Sequence, residues 1–422
     1  MQDLSGKKLL IVSGDGNDLA FVRAAKEMGL YVVCCDGHED WKYSPAKEAA
    51  DEAWNINYAW TEAVAEKCRE RGIDGVIAGY SESRVLAACR IARSLGTPFY
   101  ATEEQIEWTR NKRWFKRMCA KHGVATPRDY RCDLPLSEEE RQAIRYPVII
   151  KPSDNGGRKG ISICKSPEAL DAAVALAEEQ SFDGKIVIEE YVTGVELCAV
   201  YTISDGKISL SCLNDKYVCD DPIASTLCNV VLTPSKHYDL YVRTVDAGIR
   251  GVLKDFGATN GVANFQFIVD GEGIKAFEMG FRVNGNDDFK VISRNNGLDF
   301  MKMLIHYSIT GEMGDDLTRD DPRFKRYTCT LCQYLHGGTI AKIECEALRE
   351  NAHIEDVTIL KKPGAVVVED GTNRQKAMLV KMSADTLEEI CALIDAAQQS
   401  IAITDTEGKS MLLKAFDTRR LQ

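Results

Sequence analysis

Long apolar runs are absent from this sequence, and no stretch approaches the roughly 18 consecutive apolar residues that a membrane-spanning helix needs. The N-terminus is polar up to Lys8 and lacks the apolar core of a signal peptide, so we expect a cytoplasmic protein without a membrane partner. Dense basic runs are absent too, and the net charge is −11. This charge argues against nucleic-acid binding and favours small-molecule partners.

Histidines at zinc-ligand spacing are missing around Cys329 and Cys332, which form a Cys-x-x-Cys pair, so we expect no structural metal there. The other cysteines are scattered through apparent strands and helices, as at Cys89 and Cys198. This distribution is typical of reduced core thiols in a cytoplasmic protein.

What is present begins with an alternation of strand and helix patterns over residues 1–100. The strand patterns are 8–12, 31–35 and 75–79, and the helix patterns are 19–28, 62–71 and 84–95. Such alternation predicts a parallel, doubly wound sheet, which binds ligands at the carboxyl ends of its strands. The Gly14/Gly16 turn lacks the third glycine of a dinucleotide fingerprint, because Asp18-Leu19 follows, so nicotinamide binding is not expected.

The pattern changes to antiparallel β from residue 185 onward. Asp205-Gly206 and the stretch Asp270–Gly273 each separate two strand patterns, and they predict two hairpins. Residues 327–422 hold short strand patterns and one helix pattern, which predict a small α+β domain. We therefore expect an α/β and α+β protein with domains at 1–100, 101–184, 185–312 and 313–422.

A strand, a glycine-rich loop and a second strand follow one another between Tyr146 and Cys164. Lys151 lies at the end of the first strand, and the loop that begins at Ser153 holds two cations and the glycines Gly156, Gly157 and Gly160. Glycine lets backbone N–H groups approach an anion, and a lysine just before such a loop is well placed to meet a phosphate. A solvated hairpin tip is the alternative interpretation.

A second strand has features that suit a nucleotide. It contains Glu189, Glu190, Tyr191 and Val192, and an exposed strand edge presents the N–H and C=O groups that an adenine ring needs. Glu196 follows after a turn, where a carboxylate can accept hydrogen bonds from ribose hydroxyls. Ordinary edge-strand charges are the alternative interpretation of these carboxylates.

The second hairpin carries oxygen ligands. Gln266 and Glu278 lie on its two strands, which can bring them onto one face, and such ligands suit Mg²⁺ between phosphates. Arg282 follows Glu278 by four residues, and Asn284 comes soon after. Taken alone, Glu278 and Arg282 could be a surface pair worth under about 1 kcal/mol. Together and in this order, the motifs indicate a nucleotide site.

With this order of motifs the chain resembles the ATP-grasp superfamily over residues 1 to about 312. It looks most similar to the carboxylate–amine ligase branch, which is related to biotin carboxylase and the purine-synthesis ligases. The resemblance implies a Rossmann-like domain, then an ATP-grasp fold whose two subdomains hold ATP between their sheets. The small C-terminal α+β domain would follow.

The resemblance also implies roles for individual residues. For ATP these are Lys112 at the α-phosphate, Lys151 at the α- and β-phosphates, the flap 153–160 over the β- and γ-phosphates, Glu189 and Glu190 with the backbone of Tyr191 and Val192 at adenine, and Glu196 at ribose. For the reaction these are Lys216 near the γ-phosphate, Arg282 at the acyl phosphate, and Glu278, Gln266 and Asn284 as Mg²⁺ ligands.

Two positions depart from the family pattern. Gln266 stands where the family usually has Glu or Asp, and Gly280 stands where it usually has Asn. One metal ligand has thus lost its charge and another is missing, with Asn284, Asn286 or Asp288 as the candidates to compensate. The number of Mg²⁺ ions stays open at this point.

The implied function is an ADP-forming ligase that activates a small carboxylate as an acyl phosphate and couples it to an amine. One alternative is a carboxylase of the biotin carboxylase type, although Ala377–Met382 does not have the spacing of an Ala-Met-Lys-Met acceptor. Another is an ATP-binding relative without catalysis. Glu82 lies at a strand's carboxyl end and is either a substrate contact or part of a helix N-terminus. A homodimer is one candidate assembly.

Overall fold

The elements of the chain are given by the computed structural model, which describes residues 2–41, 44–130, 134–153, 160–182, 184–285 and 288–422. The α-helices are α1 Leu19–Glu27, α2 Pro45–Ala49, α3 Thr61–Arg71, α4 Glu82–Leu95, α5 Glu103–Arg110, α6 Lys112–Lys121, α7 Glu138–Ala143, α8 Leu170–Glu179, α9 Tyr238–Tyr241, α10 Ala247–Asp255, α11 Asp288–Asn296, α12 Phe300–Thr310 and α13 Leu387–Gln399. The strands are β1 Lys8–Val12, β2 Tyr31–Cys35, β3 Glu52–Trp54, β4 Gly75–Ile77, β5 Val148–Pro152, β6 Ser162–Cys164, β7 Ile186–Glu190, β8 Val195–Ser204, β9 Lys207–Val218, β10 Cys228–Thr233, β11 Gly261–Asp270, β12 Gly273–Gly280, β13 Tyr327–Tyr334, β14 Gly338–Glu344, β15 Ile354–Ile359, β16 Val366–Val367, β17 Lys376–Ala384 and β18 Ala402–Asp405.

The first four strands form a parallel sheet in the order β3-β2-β1-β4. This arrangement confirms the parallel sheet predicted for the first hundred residues. The helices α3 and α4 end at Gly72 and Gly96. Their φ angles of 65° and 73° lie in the left-handed region, which glycine adopts at little energetic cost. The pattern did not reveal β3, because this strand has three residues and only Trp54 is buried.

A small antiparallel sheet carries the glycine-rich loop, with strand order β6-β5-β7. Its apolar face packs against α8 around a core of its own that includes Val148, Ile150, Leu170 and Ile188. The two strands predicted between Tyr146 and Cys164 are therefore confirmed as β5 and β6. The loop between them falls mostly on residues 154–159, which lie outside the described part of the chain.

The large sheet has eight antiparallel strands in the order β12-β11-β8-β9-β10-β13-β17-β15. Both predicted hairpins are present, since Ser204 pairs with Lys207 and Asp270 pairs with Gly273. Strands β13, β17 and β15 continue this sheet into the C-terminal residues. The predicted division after residue 312 is thus not a break in the sheet, and the domain bounds stay a prediction.

One hydrophobic core joins the parallel sheet to the helices and the large sheet, and a second core lies under α13. Every cysteine in the described ranges has a free thiol. Complete burial raises the pKa of Cys198 to about 12, and burial also holds the pKa of Cys329 far above its usual range. These thiols stay protonated and pack as small apolar groups. Within the described residues, no helix combines the length and apolar character needed to cross a membrane.

Candidate active site

A buried carboxylate on the small sheet holds two lysines. Glu189 is 1% exposed, and its two oxygens lie 2.5 Å from the ammonium of Lys116 and 2.5 Å from that of Lys151. Burial alone raises the pKa of the Glu189 carboxyl, but the charges of Lys151 and Lys116 outweigh it, and the net pKa is below the ordinary value. The three side chains form a charge cluster with one net positive charge.

The register of β5 and β7 explains this cluster. Ile149 pairs with Glu189, and Lys151 pairs with Val187, so Lys151 and Glu189 emerge on the same face. Lys116 comes from α6, where it also donates to the carbonyl of Pro127 at 3.0 Å. Lys116 is therefore a member of the cluster that the sequence motifs did not single out.

The side chain of Lys112 contacts the start of the glycine-rich loop. It is the first residue of α6, which Asn111 caps by accepting from the N–H of Trp114 at 2.9 Å. The Lys112 ammonium donates to the carbonyls of Pro152 at 3.3 Å and Ser153 at 3.2 Å. Lys112 and Lys116 are one helical turn apart, so both point from α6 toward the small sheet. That spacing was the signal that could have identified Lys116.

The far end of the loop is tightly packed. Gly160 has φ of +71°, and a Cβ there would come within 2.7 Å of the side chain of Gln180. Only glycine fits this position, so the loop closes against α8 at a fixed point. The predicted phosphate-binding residues Gly156 and Gly157 lie outside the described residues.

The predicted adenine edge follows β7. The Glu190 carboxylate lies 3.3 Å from the Lys275 ammonium of β12. The N–H of Tyr191 donates to the carbonyl of Pro147 at 3.1 Å, so this donor is already used within the protein. Burial and the nearby charge of Glu196 raise the pKa of the Tyr191 hydroxyl. The structure therefore brings the end of β7 next to Glu196, at the start of β8.

A line of polar side chains crosses the large sheet. The Lys216 ammonium lies 3.6 Å from Glu196 and donates to Gln266 Oε1 at 3.2 Å. Gln266 Nε2 donates in turn to Glu278 at 3.0 Å. Cross-strand pairing places them together, because Glu196 pairs with Lys216 and Gln266 pairs with Glu278. This polar line carries one net negative charge.

Arg282 is anchored by two contacts. Its Nε donates to Glu82 at 2.6 Å, and its Nη1 donates to the carbonyl of Val283 at 3.1 Å. Glu82 is the first residue of α4, which follows β4 at the carboxyl edge of the parallel sheet. Glu82 thus has both features considered from the sequence, a helix N-terminus and a place next to the site. The pairing with Arg282 was not foreseen, because 200 residues separate the two.

Asn264 fills the space beside Gly280. The two residues are direct partners on β11 and β12, and a Cβ at position 280 would lie 3.0 Å from the Asn264 amide nitrogen. The same nitrogen donates to the carbonyl of Arg282 at 2.9 Å. An amide therefore stands near this position, but it comes from the neighbouring strand.

The predicted metal residues divide into two groups. Glu278 and Gln266 lie together on the large sheet, whereas Asn284 donates to Asp288 at 2.6 Å. Asp288 also accepts from Asn214 at 3.1 Å, and Asn214 Oδ1 is buried without a hydrogen-bond partner among the described atoms. No cluster of three metal-binding His, Cys, Asp or Glu side chains occurs in the described ranges. One carboxylate with amides nearby fits Mg²⁺ that takes its other ligands from phosphates and water.

Comparison with known proteins begins with a family model, D-ala D-ala ligase C-terminus, which matches residues 122–216. The matched stretch contains both Lys151 and Glu189. A curated relative, the ATP-grasp enzyme fsqD of Aspergillus fumigatus, is 25% identical over 212 residues, which cover 48% of this chain and 35% of the relative. The chain spans less than half the length of the curated relatives it matches.

Solved structures cover almost the whole chain. L-amino acid ligase from Bacillus licheniformis has a TM-score of 0.80 at 17% identity and covers 95% of this chain and 99% of that one. A second structure is the biotin carboxylase domain of 2-oxoglutarate carboxylase from Hydrogenobacter thermophilus, in complex with MgADP and bicarbonate. It has a TM-score of 0.75 at 20% identity and covers 97% of this chain and 91% of that one. The chain has the ATP-grasp fold, and its matched stretches are similar to D-ala D-ala ligase and to an ATP-grasp enzyme.

Proposed function

We propose that this protein is an ATP-dependent, ADP-forming ligase that activates a small carboxylate and couples it to an amine. The observation that carries the proposal is Glu189, a buried carboxylate that fixes Lys116 and Lys151 beside the glycine-rich loop. Phosphoryl transfer depends on positioning and charge neutralisation, and this cluster supplies both without a nucleophilic side chain.

The two sheets have complementary charge for a bound nucleotide. The small sheet carries the net positive cluster, with Lys112 nearby, and it suits the triphosphate. The large sheet carries the net negative polar line, and Glu278 suits a cation. A bound Mg²⁺ would neutralise phosphate charge in this position. Glu278 and an oxygen of Gln266 would hold it, with Asn264 close by.

The end of β7 suits adenine and ribose. The Tyr191 N–H is engaged by Pro147, so the C=O of Tyr191 and the N–H of Val192 are the groups we assign to the adenine ring. Glu196 lies beside Tyr191 and is assigned to ribose.

In the proposed reaction a carboxylate oxygen attacks the γ-phosphorus, the bond to the β-phosphate bridging oxygen breaks, and ADP leaves. An amine nitrogen then attacks the acyl carbon, phosphate departs with its oxygen, and the nitrogen loses a proton to solvent. We assign Arg282 and Lys216, which Glu82 and Gln266 hold in place, to stabilising the charge on the acyl phosphate. Arg282 would do so in the orientation that Glu82 and the Val283 carbonyl fix.

The test is ADP release, screened over small carboxylates and amines one by one and in pairs. We expect ADP release to need one carboxylate and one amine together. The rate of ADP release should fall about 100-fold in Lys151→Ala. Glu189 keeps Lys116 as a partner in that variant, so the fold should persist. Lys165→Ala, an exposed lysine of the same subdomain, is the control and should match the wild type. Equal turnover in Lys151→Ala would contradict the proposal.

A second candidate is a bicarbonate-activating carboxylase, which the similarity to the Hydrogenobacter biotin carboxylase domain favours. Incubation with labelled bicarbonate, ATP and free biotin separates the two, because only this candidate transfers label to biotin. We further propose a cytoplasmic location, in line with the free thiols, and a homodimer. Sedimentation of the purified protein measures the assembly directly.

A further inference from the structure

A buried amide lies on the same face of the large sheet as the polar line. Asn264 is 5% exposed and stands on β11, two residues before Gln266. Successive side chains of a strand alternate between its two faces, so Asn264 and Gln266 share one face. Phe265, between them, is fully buried in the apolar core on the other face. The Asn264 amide therefore belongs to the surface that carries the proposed metal site.

Strand pairing brings this amide close to the carboxylate assigned to Mg²⁺. Asn264 pairs directly with Gly280 across β11 and β12. The next positions along the same face are Gln266 and Glu278, which also pair directly. Asn264 and Glu278 are thus diagonal neighbours, which lie roughly 7–8 Å apart in an antiparallel strand pair. An ion that binds an oxygen from each side chain can bridge such a separation.

A hydrogen bond fixes the orientation of the Asn264 amide. Its Nδ2 donates to the carbonyl of Arg282 at 2.9 Å. A carbonyl only accepts, so the nitrogen of the amide and not its oxygen must face Arg282. Oδ1 is therefore turned away from that carbonyl. An oxygen of this kind is the ligand that a hard cation such as Mg²⁺ takes.

Gly280 leaves the room that the amide occupies. A Cβ at position 280 would lie 3.0 Å from Asn264 Nδ2 and 3.3 Å from Oδ1. The φ angle of Gly280 lies outside the left-handed region, so the backbone does not require glycine at this position. The missing side chain thus serves the space of the amide, and the two residues form one complementary pair.

The amide predicted from the sequence as a metal ligand is held at another place. Asn284 Nδ2 donates to Asp288 at 2.6 Å and to the Cys198 thiol at 3.6 Å. These contacts hold the Asn284 amide at the start of α11, whose first residue is Asp288. Asn264 is the amide that the strand register brings beside Glu278.

We propose that Asn264 Oδ1 is a ligand of the Mg²⁺ that accompanies ATP, and that it completes a protein ligand set with Glu278 and Gln266. All three ligands then come from one hairpin. The inference rests on the proposed ligase function, which supplies the nucleotide and its metal. Because Nδ2 of the same amide holds the backbone of Arg282, Asn264 also connects the metal site to the arginine assigned to the acyl phosphate.

The test is a calorimetric titration of Mg²⁺ into the full chain in the presence of a non-hydrolysable ATP analogue. Asn264→Ala removes the ligand and should weaken Mg²⁺ binding at least about tenfold. Asn229→Ala is the matched control, because Asn229 lies in the same sheet, is also 5% exposed and donates to the carbonyl of Cys332 at 2.8 Å. The control should lower the thermal stability about as much as Asn264→Ala does, but it should leave Mg²⁺ affinity unchanged.

An exchange of the pair separates the oxygen ligand from the hydrogen bond. The double variant Asn264→Gly with Gly280→Asn moves the amide to the direct partner across the strands, on the same face and two residues from Glu278. It should recover most of the Mg²⁺ affinity that Asn264→Ala loses, with circular dichroism to confirm the fold. If the folded double variant recovers none, the loss in Asn264→Ala belongs to the bond to the Arg282 carbonyl, and the ligand proposal is overturned.

The outcomes also distinguish this proposal from the proposed function. If Asn264→Ala binds Mg²⁺ as tightly as the wild type while a carboxylate and an amine still drive ADP release, the ligand proposal is overturned and the ligase stands. If Mg²⁺ affinity follows the expected pattern but no pair of substrates releases ADP, the ligase proposal fails and Asn264 stands as a metal ligand.

Discussion

The small sheet and the large sheet face the proposed nucleotide with opposite net charge and with different construction. The small sheet uses a closed cluster in which buried Glu189 is held by two lysines. The large sheet uses a line of hydrogen bonds in which the amide of Gln266 links Lys216 to Glu278. A cluster of ion pairs around a buried carboxylate is costly to disrupt, whereas a line joined through a neutral amide can rearrange when a cation arrives.

The hydrogen bonds of Gln266 explain why an amide rather than a carboxylate stands at this position. Its Oε1 accepts from the Lys216 ammonium while its Nε2 donates to the Glu278 carboxylate, which a glutamate could not do. A carboxylate there would face Glu278 directly across the strand pair. The departure from the family pattern is thus consistent with a complete hydrogen-bond chain rather than with a degenerate site.

The largest expected effect concerns the closed cluster. Glu189→Gln leaves two buried ammonium groups without their counter-charge, and we expect it to lower the free energy of unfolding by about 3–5 kcal/mol. Urea denaturation followed by circular dichroism measures this loss. Glu190→Gln on the same strand is the matched control, because Lys275 keeps Asp270 and Glu272 as partners and the loss should stay under about 1 kcal/mol. Equal losses would mean that Glu189 does not organise the cluster.

A substitution in the polar line of the large sheet should change the affinity for Mg²⁺ rather than the stability of the fold. Gln266→Glu adds a carboxylate beside Glu278, and we expect it to tighten Mg²⁺ binding about tenfold while also interrupting the chain to Lys216. Calorimetric titration of Mg²⁺ in the presence of a non-hydrolysable ATP analogue measures the change. Gln333→Glu, on β13 of the same sheet, is the control. Unchanged Mg²⁺ affinity would remove Gln266 from the metal site.

A smaller effect is expected where the two sheets meet the parallel domain. Glu82→Gln keeps the shape but weakens the charge-assisted bond that orients Arg282, so kcat should fall about tenfold with KM for ATP unchanged. Steady-state ADP release with both co-substrates present separates the two constants. Glu103→Gln, which loosens surface pairs with Arg90 and Arg93, serves for comparison and should leave kcat unaltered. A rise in KM for ATP alone would show that Glu82 does not act through Arg282.

The last effect depends on pH. Burial and the neighbouring Asp15 raise the pKa of Asp18 to about 8. Between the ordinary carboxyl pKa and this value the folded state holds a proton that the unfolded state releases, so stability should fall as pH rises across that window. Asp18→Asn removes the titrating group and should flatten the fall, which is at most about 1.4 kcal/mol per pH unit. Thermal unfolding of both proteins at pH 5 and pH 8 provides the measurement, and parallel curves would show that Asp18 is ionised in the fold.

Much of the architecture could be read from local patterns. The parallel strands, both hairpins and the strand pair around the glycine-rich loop are encoded by short-range apolar periodicity and turn residues. The continuation of the large sheet into β13, β17 and β15 could not be read, because strand neighbours that are far apart in sequence leave no local signal. Strand β3 was missed because it is too short to show a period.

The sequence by itself determined which residues are available to the site: Lys151 before a glycine-rich loop, Glu196 after a turn, and Gln266 and Glu278 on one hairpin. Only the tertiary structure decided the partners, joining Lys116 to Glu189, Glu82 to Arg282 and Asn264 to Gly280. The physical reason is that residue types and periods are local properties, whereas charge pairing depends on which surfaces the packed core brings within a few ångströms.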